Sequence, residues 1–108
     1  MSKYFKEIEF KMNDDFLAKL DQARELANIP FIINSAYRSE EHNRHIGGKE
    51  NSSHLRGLAV DISVTDSRTR FIVLEALISV GFNRIGIANT FIHVDLDLSK
   101  SDNVIWTY

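Results

Sequence analysis

Apolar residues recur three and four positions apart over residues 14–28, a spacing typical of an amphipathic helix. We expect the helix to begin at an N-cap on Asn13 or Asp14 and to end before Pro30. Its predicted core face comprises Phe16, Leu17, Leu20, Ala23, Leu26 and Ala27.

A second helical spacing opens at Asp66 or Ser67 and runs to about Val80, with Gly81 closing the helix. A shorter helix is predicted in "SEEHNRHIG", capped by Ser39, because two acidic residues follow the cap at the positive end of the helix. The predicted core face of the second long helix comprises Phe71, Leu74, Leu77 and Ile78.

Between and after the helices the apolar pattern changes to that of strands. "FIINSAYR" (31–38) predicts a short buried strand, and "GLAVDISV" (57–64) alternates with period two. "RIGIANTFIHVDLDL" (84–98) predicts a hairpin turning at Ala88 to Thr90, and 101–108 could add an edge strand. The whole indicates a single α+β domain, 1–108, with helices packed on a small antiparallel sheet.

Alternation in the last strand of the hairpin places polar and apolar side chains on opposite faces. Ile92, Val94, Leu96 and Leu98 share one face, and Phe91, His93, Asp95 and Asp97 share the other. Because the apolar face feeds the core, the polar face is expected to look into solvent or a cleft.

The stretch "SSHLRGLAVDIS" (52–63) carries the remaining candidate ligands. If strands 57–64 and 91–95 pair, Asp61 stands beside His93, and Gly57 permits a turn that brings His54 back to the same point. Two imidazoles and one carboxylate suit Zn²⁺, which takes three protein ligands in catalytic sites. The alternatives are exposed histidines, an Asp61 paired with Arg38 or Arg56, and a metal-free structural domain.

Composition narrows these possibilities. The chain has no cysteine, so any metal must be held by nitrogen and oxygen ligands. The net charge is −2 with the basic residues scattered, which argues against a nucleic-acid partner. No apolar run approaches the length of a membrane span, and the charged start "MSKYFKEIEF" is unlike a signal peptide.

Three blocks, in order, resemble one family. "SSHLRGLAVDI" fits Ser-x-His-x-x-Gly-x-Ala-x-Asp, "SAYRSEEHN" (35–43) is similar to the segment upstream of that motif, and "FIHVD" (91–95) is similar to the last one. These are motifs of the D-Ala-D-Ala carboxypeptidase and L-alanyl-D-glutamate endopeptidase family of zinc peptidases, which has the hedgehog/DD-peptidase-like fold.

The resemblance implies one Zn²⁺ per chain, held by His54, Asp61 and His93. It also implies that Arg38 binds the substrate carbonyl or the developing oxyanion, against the alternative of a salt bridge to Asp61 or Glu41. Ser52 is expected either to hydrogen-bond substrate or to stabilise its loop. His42 and Asn43 are expected to support the site or pack a helix, and His45 to be exposed.

The sequence departs from the family at one position. Many relatives carry a catalytic acid three residues before the last zinc histidine, where this chain has Thr90, which cannot act as a base. Asp95, on the His93 face, is the best candidate for the general base, and its rival role is support of the ligand. Asp97 and Glu50 are weaker candidates.

The favoured function is hydrolysis of amide bonds in peptidoglycan stem peptides, as an endopeptidase or a D,D-carboxypeptidase. The alternative is a zinc-retaining but non-catalytic module that binds the cell wall or a partner. We expect a monomer made in the cytoplasm that inserts in no membrane and reaches the wall by phage-type (endolysin-like) or other non-classical delivery.

Overall fold

A computed structural model describes residues 2–108. Three helices, α1 (Asp14–Ala27), α2 (Glu40–His45) and α3 (Ser67–Ser79), accompany five strands. The strands are β1 (Ile33–Ser35), β2 (Ala59–Ser63), β3 (Arg84–Ile87), β4 (Phe91–Asp95) and β5 (Val104–Thr107), and 3₁₀ turns span Lys6–Ile8 and Ser53–Arg56.

The strands form one sheet in the order β1-β2-β4-β3-β5. All neighbouring pairs are antiparallel except β3 and β5, which are parallel. The predicted α+β class is therefore confirmed, whereas the sheet is mixed, because the chain returns from β4 to lay β5 along β3 in the same direction. The predicted edge strand exists, and the hairpin β3–β4 turns where expected.

Side-chain caps begin each helix. The Asn13 side chain accepts from the Phe16 amide at 2.9 Å, Ser39 from the His42 amide at 3.1 Å, and Asp66 from the Thr69 amide at 2.8 Å. Helix α1 ends at Ala27, and its C-cap Asn28 has a left-handed backbone (φ 55°) that closes the helix before Pro30.

The core lies between one face of the sheet and the packed helices α1 and α3. Strands β2, β3 and β4 contribute its central layer, which comprises Val60, Ile62, Ile85, Ile92 and Val94. None of the helices within residues 2–108 combines the length and apolar character that crossing a bilayer requires.

Two predicted core faces were partly wrong. In α3 the buried residues are Val73, Ala76 and Leu77, whereas Phe71 and Ile78 are exposed, so the helix is rotated relative to the predicted face. In α1, the predicted core residue Leu26 is exposed. Strand 31–38 is also shorter than predicted, because its pairing with β2 shifts register between Ile33 and Ser35.

Candidate metal centre

Two adjacent strands place a carboxylate and an imidazole side by side on the face opposite the core. Asp61 of β2 and His93 of β4 are direct cross-strand partners, flanked by the apolar pairs Val60–Val94 and Ile62–Ile92, which point into the core. The predicted alternation and pairing are thus both present. His93 is only 8% exposed, so the polar face lines a cleft.

The third donor comes from the 3₁₀ turn Ser53–Arg56, which carries the buried His54. Ser52 caps this turn, with its hydroxyl oxygen accepting from the His54 amide at 3.2 Å. Gly57 ends it in a left-handed conformation (φ 67°), and a Cβ there would lie 2.1 Å from the Lys11 carbonyl oxygen. Glycine is therefore required both by the backbone angle and by the close approach.

Hydrogen bonds fix the ring orientation of both histidines. His54 Nδ1 lies 2.8 Å from the Ala36 carbonyl oxygen, and His93 Nε2 lies 2.7 Å from Asp95 Oδ2. Because a carbonyl and a carboxylate can only accept, these nitrogens donate. The other two ring nitrogens, His54 Nε2 and His93 Nδ1, then face Asp61. When protonated they can hydrogen-bond to Asp61, and in the neutral rings they would offer lone pairs to a metal.

These two ring nitrogens converge on one carboxylate oxygen. Asp61 Oδ1 is 3.3 Å from His54 Nε2 and 3.0 Å from His93 Nδ1, and the three donor atoms lie within 4.8 Å of one another. Ligand atoms at the usual Zn–N and Zn–O bond lengths stand about 3.3 Å apart in a tetrahedron. The donor set and its spacing therefore fit a zinc ion.

The electrostatics of the cluster also favour a cation. Burial raises the pKa of Asp61, but hydrogen bonds and charge interactions with His54 and His93 outweigh burial and lower it well below its usual range. Burial lowers the pKa of His93, and its contacts with Asp61 and Asp95 raise it above its ordinary value overall. Positive charge is thus stabilised between Asp61 and the imidazoles.

Asp95 lies behind His93, on the side away from Asp61. Its side chain is 1% exposed; Oδ2 accepts from His93, and Oδ1 accepts from Arg84 Nε at 2.7 Å and from the Asp97 amide at 3.1 Å. Burial raises the pKa of Asp95, but its bonds to His93 and Arg84 lower it overall. This geometry favours support of His93 over the role of general base, since both oxygens are already occupied.

Asp97 ties the His54 turn to the end of β4. It accepts from the hydroxyls of Ser53 (2.7 Å) and Ser99 (2.6 Å) and pairs with Arg56. Burial raises the pKa of Asp97, but these hydrogen bonds lower it strongly overall. Sequence reasoning missed this function, because Ser53 and Asp97 lie 44 residues apart and no local pattern links them.

Arg38 is positioned by Asn43 and by the His54 turn. Its Nη1 donates to Asn43 Oδ1 at 3.2 Å, and its backbone amide donates to the His54 carbonyl at 3.1 Å. Its Nε is buried without a hydrogen-bond partner, and within residues 2–108 no carboxylate lies within ion-pairing distance of Arg38. Burial lowers the pKa of Arg38, whereas the charge of Asp61 raises it.

An open cavity of about 600 Å³ joins Arg38 to the metal ligands. Ser52 and Asp95 line it too, whereas Thr90 and Glu50 are exposed and Asp97 is buried, all three outside its lining. His42 and His45 lie on the exposed side of α2. The lining comprises Arg38, Gly47, Gly48, Lys49, Asn51, Ser52, Ser53, His54, Asp61, Arg84, Phe91, His93, Asp95, Lys100, Trp106 and Tyr108.

An α+β fold that brings two imidazoles and a carboxylate together in a cleft is suited to a metal-dependent hydrolase. The Peptidase M15 family model matches residues 5–95, so the chain belongs to the Peptidase M15 family. This family is one of zinc peptidases, as the sequence motifs indicated, and membership supports a metallopeptidase in general. Among curated proteins, none matches the chain significantly.

Proposed function

We propose that this protein is a zinc-dependent peptidase that hydrolyses amide bonds in the stem peptides of peptidoglycan. The observation that carries the proposal is the orientation of the two histidines: the Ala36 carbonyl and Asp95 fix the rings so that His54 Nε2 and His93 Nδ1 both face Asp61 Oδ1. Membership of the M15 family supports the reaction class, and the open cavity gives a peptide access.

His54, Asp61 and His93 would hold the zinc ion, one per chain. A bound zinc ion polarises a carbonyl group and lowers the pKa of a coordinated water toward about 7. The protein's own contribution is to hold the three donor atoms rigidly, with Asp95 and the Ala36 carbonyl each fixing one ring.

Arg38 would bind the scissile carbonyl oxygen. Its guanidinium is held by Asn43 on one nitrogen, and Arg38 lines the cavity together with the metal ligands. A guanidinium remains charged and donates along a fixed fork, so it can stabilise the negative charge that develops on that oxygen. Lys49 and Lys100 add positive charge to the lining, which suits an acidic stem peptide.

A peptidase of this kind acts outside the cytoplasm, and we propose phage-type or other non-classical delivery of a monomer. Endopeptidase and D,D-carboxypeptidase activity are both compatible with an open cavity.

A second candidate, a zinc-binding but non-catalytic module, is favoured by the carboxylates of the cavity. Within residues 2–108, two carboxylate side chains line the cavity, those of Asp61 and Asp95. Asp61 faces the imidazoles, and both oxygens of Asp95 are already hydrogen-bonded, so neither is free to act as a general base. Thr90, at the position of the acid found in many relatives, is exposed outside the cavity. Under this reading the cavity binds a wall peptide without cleaving it.

The deciding experiment combines zinc content with turnover. The zinc-loaded protein, the chelated protein and the Arg38→Ala variant are incubated with purified peptidoglycan and with a stem tetrapeptide, and new amino termini and released amino acids are quantified. Cleavage by the zinc-loaded protein alone supports the peptidase, with a loss of at least about 100-fold in kcat/KM for Arg38→Ala. One bound zinc without cleavage of either substrate favours the binding module.

A further inference from the structure

Strand β5 forms part of the cavity although it lies outside the region matched by the family model, which ends at Asp95. Trp106 and Tyr108, two positions apart, both line the cavity, as does Phe91 of β4. The alternate residue Ile105 is exposed on the other side of β5. The aromatic residues of the strand thus line the cavity with the metal ligands, whereas its aliphatic residue Ile105 is exposed to solvent. Burial of apolar side chains alone does not explain this arrangement.

Trp106 is fitted closely into the site. It pairs with Gly86 of β3, and a Cβ on Gly86 would lie 2.5 Å from the indole Nε1, so the indole lies directly on that backbone. Its ring centroid is 5.5 Å from that of His93, and the Arg84 guanidinium lies 5.2 Å from the indole centroid. These contacts hold the indole in one orientation beside the metal ligands.

Tyr108, two residues beyond Trp106, lines the same cavity. Its ring packs 5.2 Å from that of Phe91, and its amide donates to the Ile87 carbonyl, so its position is fixed from two sides. Yet 70% of the residue is exposed. The exposed ring is therefore available to pack against a peptide.

We propose that Trp106 and Tyr108, called here the aromatic wall, bind the substrate peptide and hold it between β5 and Arg38. The inference rests on the proposed function and extends it to residues outside the family match. Two aromatic rings and a guanidinium that line the same cavity suit an extended peptide. The rings contact its apolar surface, and Arg38 binds a carbonyl or carboxylate oxygen.

The test uses the only tryptophan of the chain, Trp106, as a reporter of binding. A stem tetrapeptide is titrated into the metal-free protein, where metal-dependent turnover is stopped, and tryptophan fluorescence is recorded. We expect a saturable change, with a Kd raised about five- to tenfold in Tyr108→Ala. Tyr108→Phe, which keeps the ring, is expected to recover most of that loss. Phe71→Ala removes a comparably exposed aromatic residue on α3, away from the cavity, and is expected to match the unmodified protein.

Steady-state kinetics test the same proposal independently of fluorescence. In the zinc-loaded protein, Tyr108→Ala is expected to raise KM by a similar factor while kcat stays within about threefold, because the wall binds and does not react. Zinc content and the circular dichroism spectrum check that the variant is folded and loaded. A Tyr108→Ala variant with unchanged Kd and KM overturns the wall, as does a tetrapeptide that leaves Trp106 fluorescence unchanged.

The two proposals fail in different ways. If the zinc-loaded protein cleaves peptidoglycan but Tyr108→Ala binds and turns over normally, the proposed peptidase function is supported and the aromatic wall is refuted. If the tetrapeptide binds at the aromatic wall but no substrate is cleaved, the aromatic wall is supported and the peptidase function is refuted.

Discussion

The two imidazoles of the metal centre are held by different kinds of acceptor. His54 donates to a backbone carbonyl, that of Ala36, whereas His93 donates to the carboxylate of Asp95. A carbonyl is fixed by the fold and carries no charge to lose, but a carboxylate makes the ring more basic and can be removed by one substitution. The His93 side should therefore be sensitive to its supporting side chain, and the His54 side to the position of its turn.

Removing either imidazole should have the largest effect on zinc binding, and the effect should be similar for His54 and His93. His54→Ala and His93→Ala each delete one of three ligands, so we expect substoichiometric zinc by elemental analysis after dialysis. The thermal stabilisation by zinc should disappear as well, which is worth about 2.7 kcal/mol at free zinc of 100 times Kd. His42→Ala and His45→Ala, on the exposed side of α2, are the controls, and a full zinc complement in either ligand variant would refute this ligand set.

Asp95→Asn tests the His93 side alone. The amide can still accept from His93 but carries no charge, so we expect zinc affinity, measured by chelator competition, to fall about 10- to 100-fold. At saturating zinc, turnover should recover much of its original value. Turnover that stays at least about 100-fold down with zinc affinity unchanged would instead identify Asp95 as the general base. Asp102→Asn, on the exposed loop before β5, is the control.

Asp97→Asn tests the His54 side through its turn. Loss of the charge weakens the bonds from Ser53, Ser99 and Arg56, and we expect a destabilisation of about 1–3 kcal/mol near neutral pH by chemical denaturation. The pKa of Asp97 is lowered by folding, so its contribution is present above the unfolded-state pKa of about 3.9 and is lost as pH falls. The difference between variant and parent should therefore shrink below about pH 4; a constant difference would contradict the assignment.

Ser52→Ala should have the smallest effect on the same side. It removes the cap of the His54 turn, at a cost of about 0.5–1 kcal/mol, and should weaken zinc by less than tenfold. Ser39→Ala removes the matching cap of α2 and should lower stability by a similar amount without changing zinc affinity. Equal zinc affinities for the two variants would show that the cap does not position His54.

Strand periodicity made much of the site predictable. The alternation around His93 and Asp61 was sufficient to identify the polar face of each strand, because side chains in a strand change sides at every residue. The pairing that brings the two residues together was assumed in the prediction and is present in the structure. Asn13, Ser39 and Asp66 likewise marked the helix starts through local hydrogen bonds.

Features that depend on distant contacts could not be read in the same way. The role of Asp97 depends on a turn 44 residues earlier, and the place of Trp106 depends on a parallel pairing with Gly86. The rotation of α3, which exposes Phe71, was also unpredictable, since apolar residues surround much of that helix and only packing against α1 selects the buried stripe.

The direct pairing of Asp61 with His93 has a consequence for folding. If β4 slipped by one residue against β2, Ile92 or Val94 would replace His93 beside Asp61, and an imidazole would enter the apolar layer. Only the correctly aligned chain can bring the three donors together, so a metal that binds them stabilises that alignment over every slipped one. The ion would then favour the correct pairing of β2 and β4 during folding, before any substrate binds.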